Sequence, residues 1–282
     1  MSSEAKQIMR ATGLLIIEAI NSNPNGDPDR ESDPRQRPDS LGEISPVSFK
    51  RKLRDLVEDK QGPVWSELST RLKIKDDEFE ILESRQATLR EIRDLTEEDF
   101  IKRYWDGRIF GNTELEKGRK IPVKSGVVQF GLGVSVAPIE IERLTTTNPA
   151  VQEDKSRGMA PMAYRIVQHG IYCMPFFVNP SAAHKSGCTA RDIELLLALI
   201  PYAYAHTRSY VRSNVELLHA WYIEHKSPLG SCPDFKLIDS LTPIKREQPE
   251  AASTSRKEYD IPSALPEELK AKVAPEKDLM EF

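Results

Sequence analysis

The 282-residue sequence has little of what several classes of protein require. Cysteine occurs three times, at Cys173, Cys188 and Cys232, without Cys-x-x-Cys spacing, which argues against a disulfide framework or a cysteine-rich zinc site. No run approaches the ~18 consecutive apolar residues of a membrane-spanning helix. The first residues, MSSEAKQIMRATG, contain no apolar core, so we expect a reduced, cytoplasmic protein without a secretion signal.

An excess of positive charge, the usual mark of a nucleic-acid-binding protein, is also missing, since the formal net charge is −4. The charge is unevenly distributed along the chain. Residues 66–100 carry 6 basic and 11 acidic groups, a net −5, whereas residues 101–244 carry 17 basic and 13 acidic groups, a net +4. A basic surface on the second of these segments is therefore compatible with an acidic chain.

The first third of the chain predicts a strand, a loop and a helix. Residues 12–20 form a short apolar run typical of a buried strand. Residues 22–39 are dense in Pro, Asn, Asp and Gly, which predicts a long loop of the functional kind. Ser45 as a cap and Pro46 at the first position predict the start of a helix. Its core-facing residues would be Phe49, Leu53, Leu56 and Val57.

The rest of the chain predicts strands, one further helix and two excursions. Residues 126–136 alternate as a single strand with small residues on one face, and the positions expected to face the core are Val128, Phe130, Leu132, Val134 and Val136. Residues 170–178 and 216–224 have strand-like composition. Thr189 and Asp192 form a capping box for a second helix, which Pro201 should end.

Without the charge-rich, helical insertion at residues 60–105 and the polar residues 142–168, the order of elements is β-α-β-β-α-β. This order predicts an α+β protein with a ferredoxin-like fold, shared with RNA-recognition modules. The excursion at 142–168 is interpreted as a protruding hairpin, and the polar tail from residue 242 as an irregular extension. Since helices would cover only one face of the sheet, the other face could be open to single-stranded nucleic acid.

No arrangement of residues indicates catalysis. Asp27, Asp29 and Asp33 share one loop, but Pro28 and Pro34 interrupt them and the EF-hand pattern fails, so we expect no metal. The five histidines form no HExxH motif or nucleophile pair. His206 with Arg208 and Arg212 is the most suggestive group, although a buried structural histidine is an equally good interpretation of His206. The sequence therefore favours a binding protein without a cofactor.

Several segments, in order, resemble one known family. SNPNGDPD (residues 22–29) and FKRKLRDLV (49–57) resemble the loop and basic first helix of a CRISPR-associated family of the RAMP superfamily. YWDGRIFG (104–111) and AHTRSYVRSNVELLHAWYIEH (205–225) continue the match. This family provides the repeated backbone subunit of type I Cascade complexes, and the match is to its I-B/I-C-like branch.

The resemblance implies a hand-shaped, RRM-like fold with palm, fingers and thumb. The palm comprises residues 1–59, 126–141 and 169–241, with helical fingers or web at 60–125 and a thumb hairpin at 142–168. Residues 242–282 form a carboxy-terminal extension that the resemblance does not cover. Ser213 stands where the family usually has glycine, and Leu218 stands near an expected cation.

The implied function is a non-catalytic, crRNA-binding ribonucleoprotein subunit in antiviral defence. Copies would polymerise as a helical filament along the guide, which pairs with target DNA, beside the cap, large and small Cascade subunits and a recruited helicase-nuclease. A metal-dependent RAMP-type endoribonuclease using Asp27 and Asp29 is the alternative. The predicted RNA-contacting residues are Asn23, Asn25, Lys50, Arg51, Arg54, Arg143, Arg157, Met159, Arg165, His206, Arg208 and Arg212.

Overall fold

The fold was analysed in a computed structural model, which describes residues 7–84, 96–112, 125–151 and 157–281, with only the backbone of 146–151 and 157–162. Among the helices in these ranges, none has the length and apolar character needed to cross a bilayer. The helices are α1 (Pro46–Glu58), α2 (Pro63–Leu72), α3 (Glu97–Arg103), α4 (Trp105–Phe110), α5 (Ala183–Ser186), α6 (Ala190–Leu199), α7 (Asp234–Leu241) and α8 (Glu267–Lys270).

Eight strands build one large sheet, and two pairs of two-residue strands lie outside it. The strands are β1 (Ala11–Ser22), β2 (Gly26–Asp27), β3 (Asp33–Pro34), β4 (Leu41–Ile44), β5 (Val128–Phe130), β6 (Gly133–Pro138), β7 (Ile141–Val151), β8 (Arg157–Val178), β9 (Val215–Glu224), β10 (Ile244–Lys245), β11 (Tyr259–Asp260) and β12 (Lys277–Asp278).

The large sheet has the order β12-β9-β1-β8-β6-β4, and β5 and β7 also pair with β8. Its pairs are antiparallel, and β1 lies between β9 and β8. In the described ranges, three stretches of chain between strands of this sheet carry helices: α1 to α4 after β4, α5 and α6 after β8, and α7 and α8 after β9. The mixed helix-and-sheet class predicted by the sequence is therefore confirmed.

The local signals for helices and strands are also confirmed. The Ser45 hydroxyl caps α1 by accepting from the Ser48 amide, and Pro46 is the first helical residue. The capping box of Thr189 and Asp192 starts α6. The helix ends before a 3-10 turn at Ile200–Tyr202, which contains Pro201, the residue predicted to end it. Capping and proline geometry depend on neighbouring residues alone, which is why sequence reasoning finds them.

One face of the sheet packs against helices. Phe49 and Leu53 of α1 and Leu196 of α6 are fully buried in the main hydrophobic cluster. Trp65 of α2 and Trp105 of α4 belong to the same cluster. The charge-rich stretch between the first helix and residue 112 thus contributes large side chains to the core that the sheet itself uses.

The second face of the sheet is covered, and the expectation of an open face is wrong. Leu14 and Ile16 of β1 point to this face and are buried. Helix α7 and the carboxy-terminal extension pack against them, the extension with apolar residues of the β10–β11 connection and α8. Strands that are apolar on both faces need cover on both sides. The covering residues in this cluster are Leu237 and Leu241 of α7, which precedes the extension, and Tyr259, Leu265, Leu269 and Val273 of the extension.

The single alternating strand expected at 126–136 is also wrong, because the chain contains an extra residue there. Phe130 pairs with Phe176, whereas Val134 pairs with Cys173, so four steps on one strand match three on the other. An extra residue of this kind reverses which side chains face the core. Leu132 is therefore 39% exposed, and Ser135 is buried in place of Val134.

Within the predicted hairpin at 142–168, residues 142–151 and 157–167 form most of a long two-stranded ladder, and residues 152–156 lie outside the described part of the chain. Strands β7 and β8 pair from Ile141 opposite Val167 to Val151 opposite Arg157. The second strand then continues into the large sheet beside β1. The base of this hairpin is thereby fixed rigidly to the centre of the fold.

Candidate nucleic-acid interface

Two buried asparagines hold the long loop that follows β1. Asn25 Oδ1 accepts from the Ser45 amide at 2.7 Å, and its Nδ2 donates to Gly26 O at 2.9 Å. Asn23 Nδ2 donates to Ser32 O at 2.7 Å. The predicted role of both asparagines in shaping the loop therefore matches their contacts, which join it to the start of α1.

The loop forms one wall of a cleft with a volume of about 510 Å³. The base of the β7–β8 hairpin forms a second wall, and the 3-10 turn Tyr210–Arg212 forms a third. Three predicted RNA-binding arginines from distant parts of the chain line it. The lining residues are Asn23, Gly26, Pro28, Glu31, Ser32, Asp33, Arg143, Ala163, Tyr164, Arg165, Val211 and Arg212.

Arg143 and Arg165 lie directly opposite each other in the ladder of β7 and β8. Directly opposed residues project from the same face, and like charges there are unfavourable. Arg165 forms an ion pair with Asp33 of the loop. Arg143 is exposed and makes no ion pair with the described residues. At the base of the hairpin, the charge of Arg165 is therefore compensated by a carboxylate, whereas that of Arg143 is not.

Arg212 and Lys52 extend this positive region toward α1. Arg212 Nε donates to the backbone oxygen of Asn23 at 3.1 Å. Lys52 Nζ donates to Thr207 Oγ1 at 2.8 Å and lies 4.9 Å from the centre of the Tyr204 ring. Burial, and then the nearby charge of Arg212, lower the pKa of Lys52 to about 8. Neither cation forms an ion pair within the described ranges.

Sequence reasoning missed Lys52, although its position carried a signal. Lys52 lies three residues after Phe49 and four before Leu56, which places it on the buried stripe of α1. Its side chain is accordingly buried. A lysine within an apolar stripe either has a carboxylate partner or shifts its pKa, and Lys52 does the latter.

An aromatic pair at the cleft was also missed. Tyr164 and Tyr210 meet edge to face with ring centres 5.4 Å apart, and their hydroxyl oxygens are 3.4 Å apart. Tyr210 is 65% exposed. Exposed aromatic rings among arginines are typical of surfaces on which bases stack. The alternation of arginine and tyrosine at Arg208, Tyr210 and Arg212 was the available signal.

Arg54, one of the predicted RNA contacts, lies inside the protein. Its side chain is 4% exposed and pairs with Asp106 at 2.9 Å and Glu83 at 3.1 Å. Asp106 is on α4, 52 residues away in sequence. Arg54 therefore holds α1 against α4 inside the protein.

The other predicted cations of α1 are partly exposed. Arg51 Nη1 donates to Glu83 O at 2.8 Å. Lys50 Nζ lies 4.9 Å from the centre of the Phe110 ring, and burial, followed by the charge of Arg54, lowers its pKa. These two residues lie outside the cleft.

The trio of His206, Arg208 and Arg212 is divided between two sites. His206 and Arg208 line a separate cleft of about 400 Å³ together with Asp55 and Asp59, whereas Arg212 lines the first. Arg208 pairs with Glu216 at 2.8 Å. The interpretation of His206 as a buried histidine is wrong, since it is exposed beside Tyr202.

Arg157 and Met159 were predicted as contacts on the hairpin. Their backbones lie in β8, opposite Val151 and Pro149. Their side chains lie outside the described part of the chain.

The loop carboxylates make local contacts. Asp27 Oδ1 accepts from the Asp29 amide at 3.2 Å and lies 3.8 Å from the Arg35 guanidinium. Asp33 faces Arg165. Within the described residues, no group of three or more His, Cys, Asp or Glu side chains is placed to hold a metal ion.

Comparison with known proteins links this geometry to one family. The family model described as CRISPR-associated protein Cas7 matches residues 9–263. No curated protein matches the chain. The chain is similar to a solved chain of a "CRISPR RNA-guided surveillance complex, pre-nicking", with 17% identity and a TM-score of 0.47 over 76% of this chain and 75% of that one. A chain of a "CRISPR RNA-guided surveillance complex" shares 14% identity and a TM-score of 0.40, over 75% of this chain and 69% of that one.

Proposed function

The chain belongs to the family of CRISPR-associated protein Cas7, and from this premise we propose that it binds guide RNA as the repeated backbone subunit of a type I Cascade complex. The proposed partners are the crRNA, further copies of the chain, the cap, large and small subunits, the target DNA through guide pairing and the recruited helicase-nuclease. The proposed setting is the cytoplasm.

The observation that carries this proposal is the arginine-lined cleft. One cleft is lined by Arg143 and Arg165 from neighbouring strands and by Arg212 from a distant segment. Among the described residues, only Asp33 forms an ion pair with one of these arginines, Arg165. Cations without carboxylate partners favour an anionic ligand. Phosphate contacts carry no sequence information, which suits a subunit that must coat any guide while base pairing supplies specificity.

The fold supports a specific arrangement of the RNA. We interpret β9-β1-β8-β6 as a ferredoxin-like palm, residues 60–125 as fingers and the β7–β8 hairpin as the thumb. Because the extension covers the second face of the sheet, the RNA would follow the cleft and not cross that face. Arg157 and Met159 of the hairpin are proposed as further contacts, the latter as a wedge between bases.

The proposed strand continues beyond the cleft in two directions. On one side, Lys52 and Lys50 of α1 are proposed as contacts for the strand. On the other side, the ring of Tyr210 is proposed as a surface on which a base stacks. Arg51, His206 and Arg208, which lie outside the cleft, are proposed as contacts for this continuing strand. Arg54 is not part of the proposed interface because it is held inside the protein by Asp106 and Glu83.

The test is charge reversal within the cleft. We expect the triple variant Arg143→Glu, Arg165→Glu, Arg212→Glu to lose at least a hundredfold in affinity for single-stranded RNA, measured by fluorescence anisotropy, since six units of charge change at the phosphate site. The matched control is Arg71→Glu, Lys75→Glu, Lys102→Glu, which changes the same charge at exposed positions outside both clefts. Equal losses in the two variants would contradict the proposed site.

The non-catalytic part of the proposal has its own test. Asp27 and Asp29 are the carboxylates that an endoribonuclease would use in this loop. We expect labelled RNA to stay intact with the wild-type protein and Mg²⁺. Cleavage that Asp27→Ala abolishes would overturn the non-catalytic assignment in favour of the endoribonuclease.

A further inference from the structure

A carboxylate of the protein occupies part of the proposed RNA site. Asp33 forms an ion pair with Arg165, from 132 residues further along the chain. Both residues line the cleft, and 44% of the Arg165 side chain is exposed. A carboxylate and a phosphodiester are alternative acceptors for the same guanidinium group. Asp33 therefore lies where a phosphate of the strand would bind Arg165.

The loop holds Asp33 in place through several contacts. Asp33 pairs with Asp27 in the short ladder of β2 and β3, and Ser32 O accepts from Asn23 Nδ2. Glu31 and Ser32, directly before Asp33, both have positive φ, at 51° and 65°. Two consecutive non-glycine residues in this region carry a conformational cost. The loop thus directs Asp33 toward Arg165 in a conformation that is not the relaxed one.

The two opposed arginines are unequal for this reason. Arg143 faces the same side as Arg165 and has no ion pair with the described residues. The side chains of directly opposed residues start about 5 Å apart. An anion at Arg143 meets no competitor, whereas an anion at Arg165 must displace Asp33.

We propose that the cleft binds two consecutive phosphates of a single strand, one at Arg143 and one that replaces the Asp33 carboxylate at Arg165. Asp33 then acts as a built-in competitor for the second phosphate only, since a lone phosphate binds at Arg143 without displacing it. This inference rests on the proposed RNA-binding function. It adds that the loop exchanges partners when the strand binds.

Magnitudes favour this exchange. An ion pair exposed to this degree changes an equilibrium constant by about fivefold at most. Displacing Asp33 is therefore a small cost for a strand that also gains Arg143 and Arg212. A lone phosphate binds at Arg143 and does not displace Asp33 from Arg165, because the loop keeps the local concentration of that carboxylate high.

The test compares Asp33→Asn with Asp39→Asn. Asp39 lies in the same loop and pairs with Arg37 at 3.3 Å, with that arginine 40% exposed, but it does not line the cleft. Both variants remove one negative charge and one carboxylate partner of an arginine, although Arg37 keeps Glu43 at 3.9 Å. We expect Asp33→Asn to bind single-stranded RNA two- to fivefold more tightly than Asp39→Asn, with a log affinity–log salt slope steeper by about 0.7.

Two further arms make the result specific. In an Arg165→Gln background, Asp33→Asn should bind RNA no more tightly than Asp39→Asn, because the guanidinium group for which Asp33 and the RNA phosphate compete is absent. In competition with labelled RNA, Asp33→Asn should improve the dinucleotide pUpU up to fivefold and uridine monophosphate less than twofold. Equal improvement of both ligands would contradict the two-phosphate site.

The inference and the proposed function fail in different ways. If cleft charge reversal abolishes RNA binding while Asp33→Asn equals Asp39→Asn, the function stands and the exchange is wrong. If the wild-type protein shows no RNA binding that depends on the cleft arginines, the proposed function itself fails. Circular dichroism spectra of each variant identify any loss caused by unfolding.

Discussion

Arginines in two regions of this protein have opposite surroundings. In the interior, Arg108 of α4 donates to Asp192 Oδ1 from Nη2 at 2.7 Å and from Nε at 3.1 Å, and its remaining donors reach backbone oxygens. Arg54 likewise forms an ion pair with Asp106, whose side chain is 1% exposed. In the cleft, Arg143 and Arg212 have no carboxylate within ion-pair distance among the described residues.

The difference shows what decides the role of a cation in this fold. A buried arginine is tolerated only with a carboxylate and hydrogen bonds that match its charge and donors. Such a pair leaves nothing for a ligand. An arginine in an open cleft without a carboxylate contributes little to folding and attracts an anion from outside. Burial together with a matched carboxylate therefore distinguishes Arg54 and Arg108 from the proposed ligand-binding arginines of the cleft, whereas residue type does not.

The largest effect that this comparison predicts is on stability. Arg108→Gln leaves Asp192, with its side chain 1% exposed, without a counter-charge. We expect a loss of about 3–5 kcal/mol in the free energy of unfolding, measured by urea denaturation monitored by tryptophan fluorescence. The matched variant Arg143→Gln should change it by no more than about 0.5 kcal/mol. Similar losses in both variants would break the comparison.

Features that depend on neighbouring residues could be predicted from the sequence, whereas features that depend on distant partners could not. Local rules located the start of α1 at Ser45 and Pro46 and the start of α6 at Thr189. They also located the central strand β1 and the last strand of the palm. The fold brings three of the predicted RNA-contacting arginines, Arg143, Arg165 and Arg212, to one cleft, and their contact with RNA stays a prediction.

What the sequence could not supply was the long-range pairing. Arg54 and Arg143 look alike in sequence, but Arg54 meets Asp106, which lies 52 residues away. A partner at such a distance is set by the packing of helices, which no local pattern encodes. The prediction of an open sheet face was wrong for a related reason. The apolar residues of the extension, such as Tyr259 and Leu265, are widely spaced in a polar tail and show their common role only after folding.

The second prediction, of intermediate size, concerns Lys52, the buried cation of the cleft region. Burial and the charge of Arg212 hold the pKa of Lys52 at about 8, below its ordinary value of 10.5. The folded protein therefore binds fewer protons here than the unfolded chain between pH 8 and 10.5, so this group's effect on stability becomes more favourable as pH rises through that window. A bound phosphate favours the charged form, so binding takes up a proton above pH 8.

RNA affinity should accordingly be highest below pH 8 and fall as the pH rises. Between pH 7.5 and 9 we expect a loss of severalfold, with an upper limit of about tenfold per pH unit for one proton. The measurement is a series of anisotropy titrations at constant ionic strength. Lys52→Gln has no such proton to take up and should show a flatter profile. If Lys52→Gln has the same pH profile as the wild-type protein, Lys52 is not the residue that takes up a proton when a phosphate binds.

The smallest effect sharpens the comparison at a single charge. Arg143→Gln should lower the log affinity–log salt slope for single-stranded RNA by about 0.7, because one fewer counterion is released when the strand binds. This amounts to about a threefold difference in relative affinity between 50 and 200 mM salt. Lys75→Gln is the control, since Lys75 is 74% exposed and pairs with Glu78 outside the cleft. If both substitutions change the slope equally, the protein attracts RNA through its general charge and the absence of a carboxylate beside Arg143 has no bearing on binding.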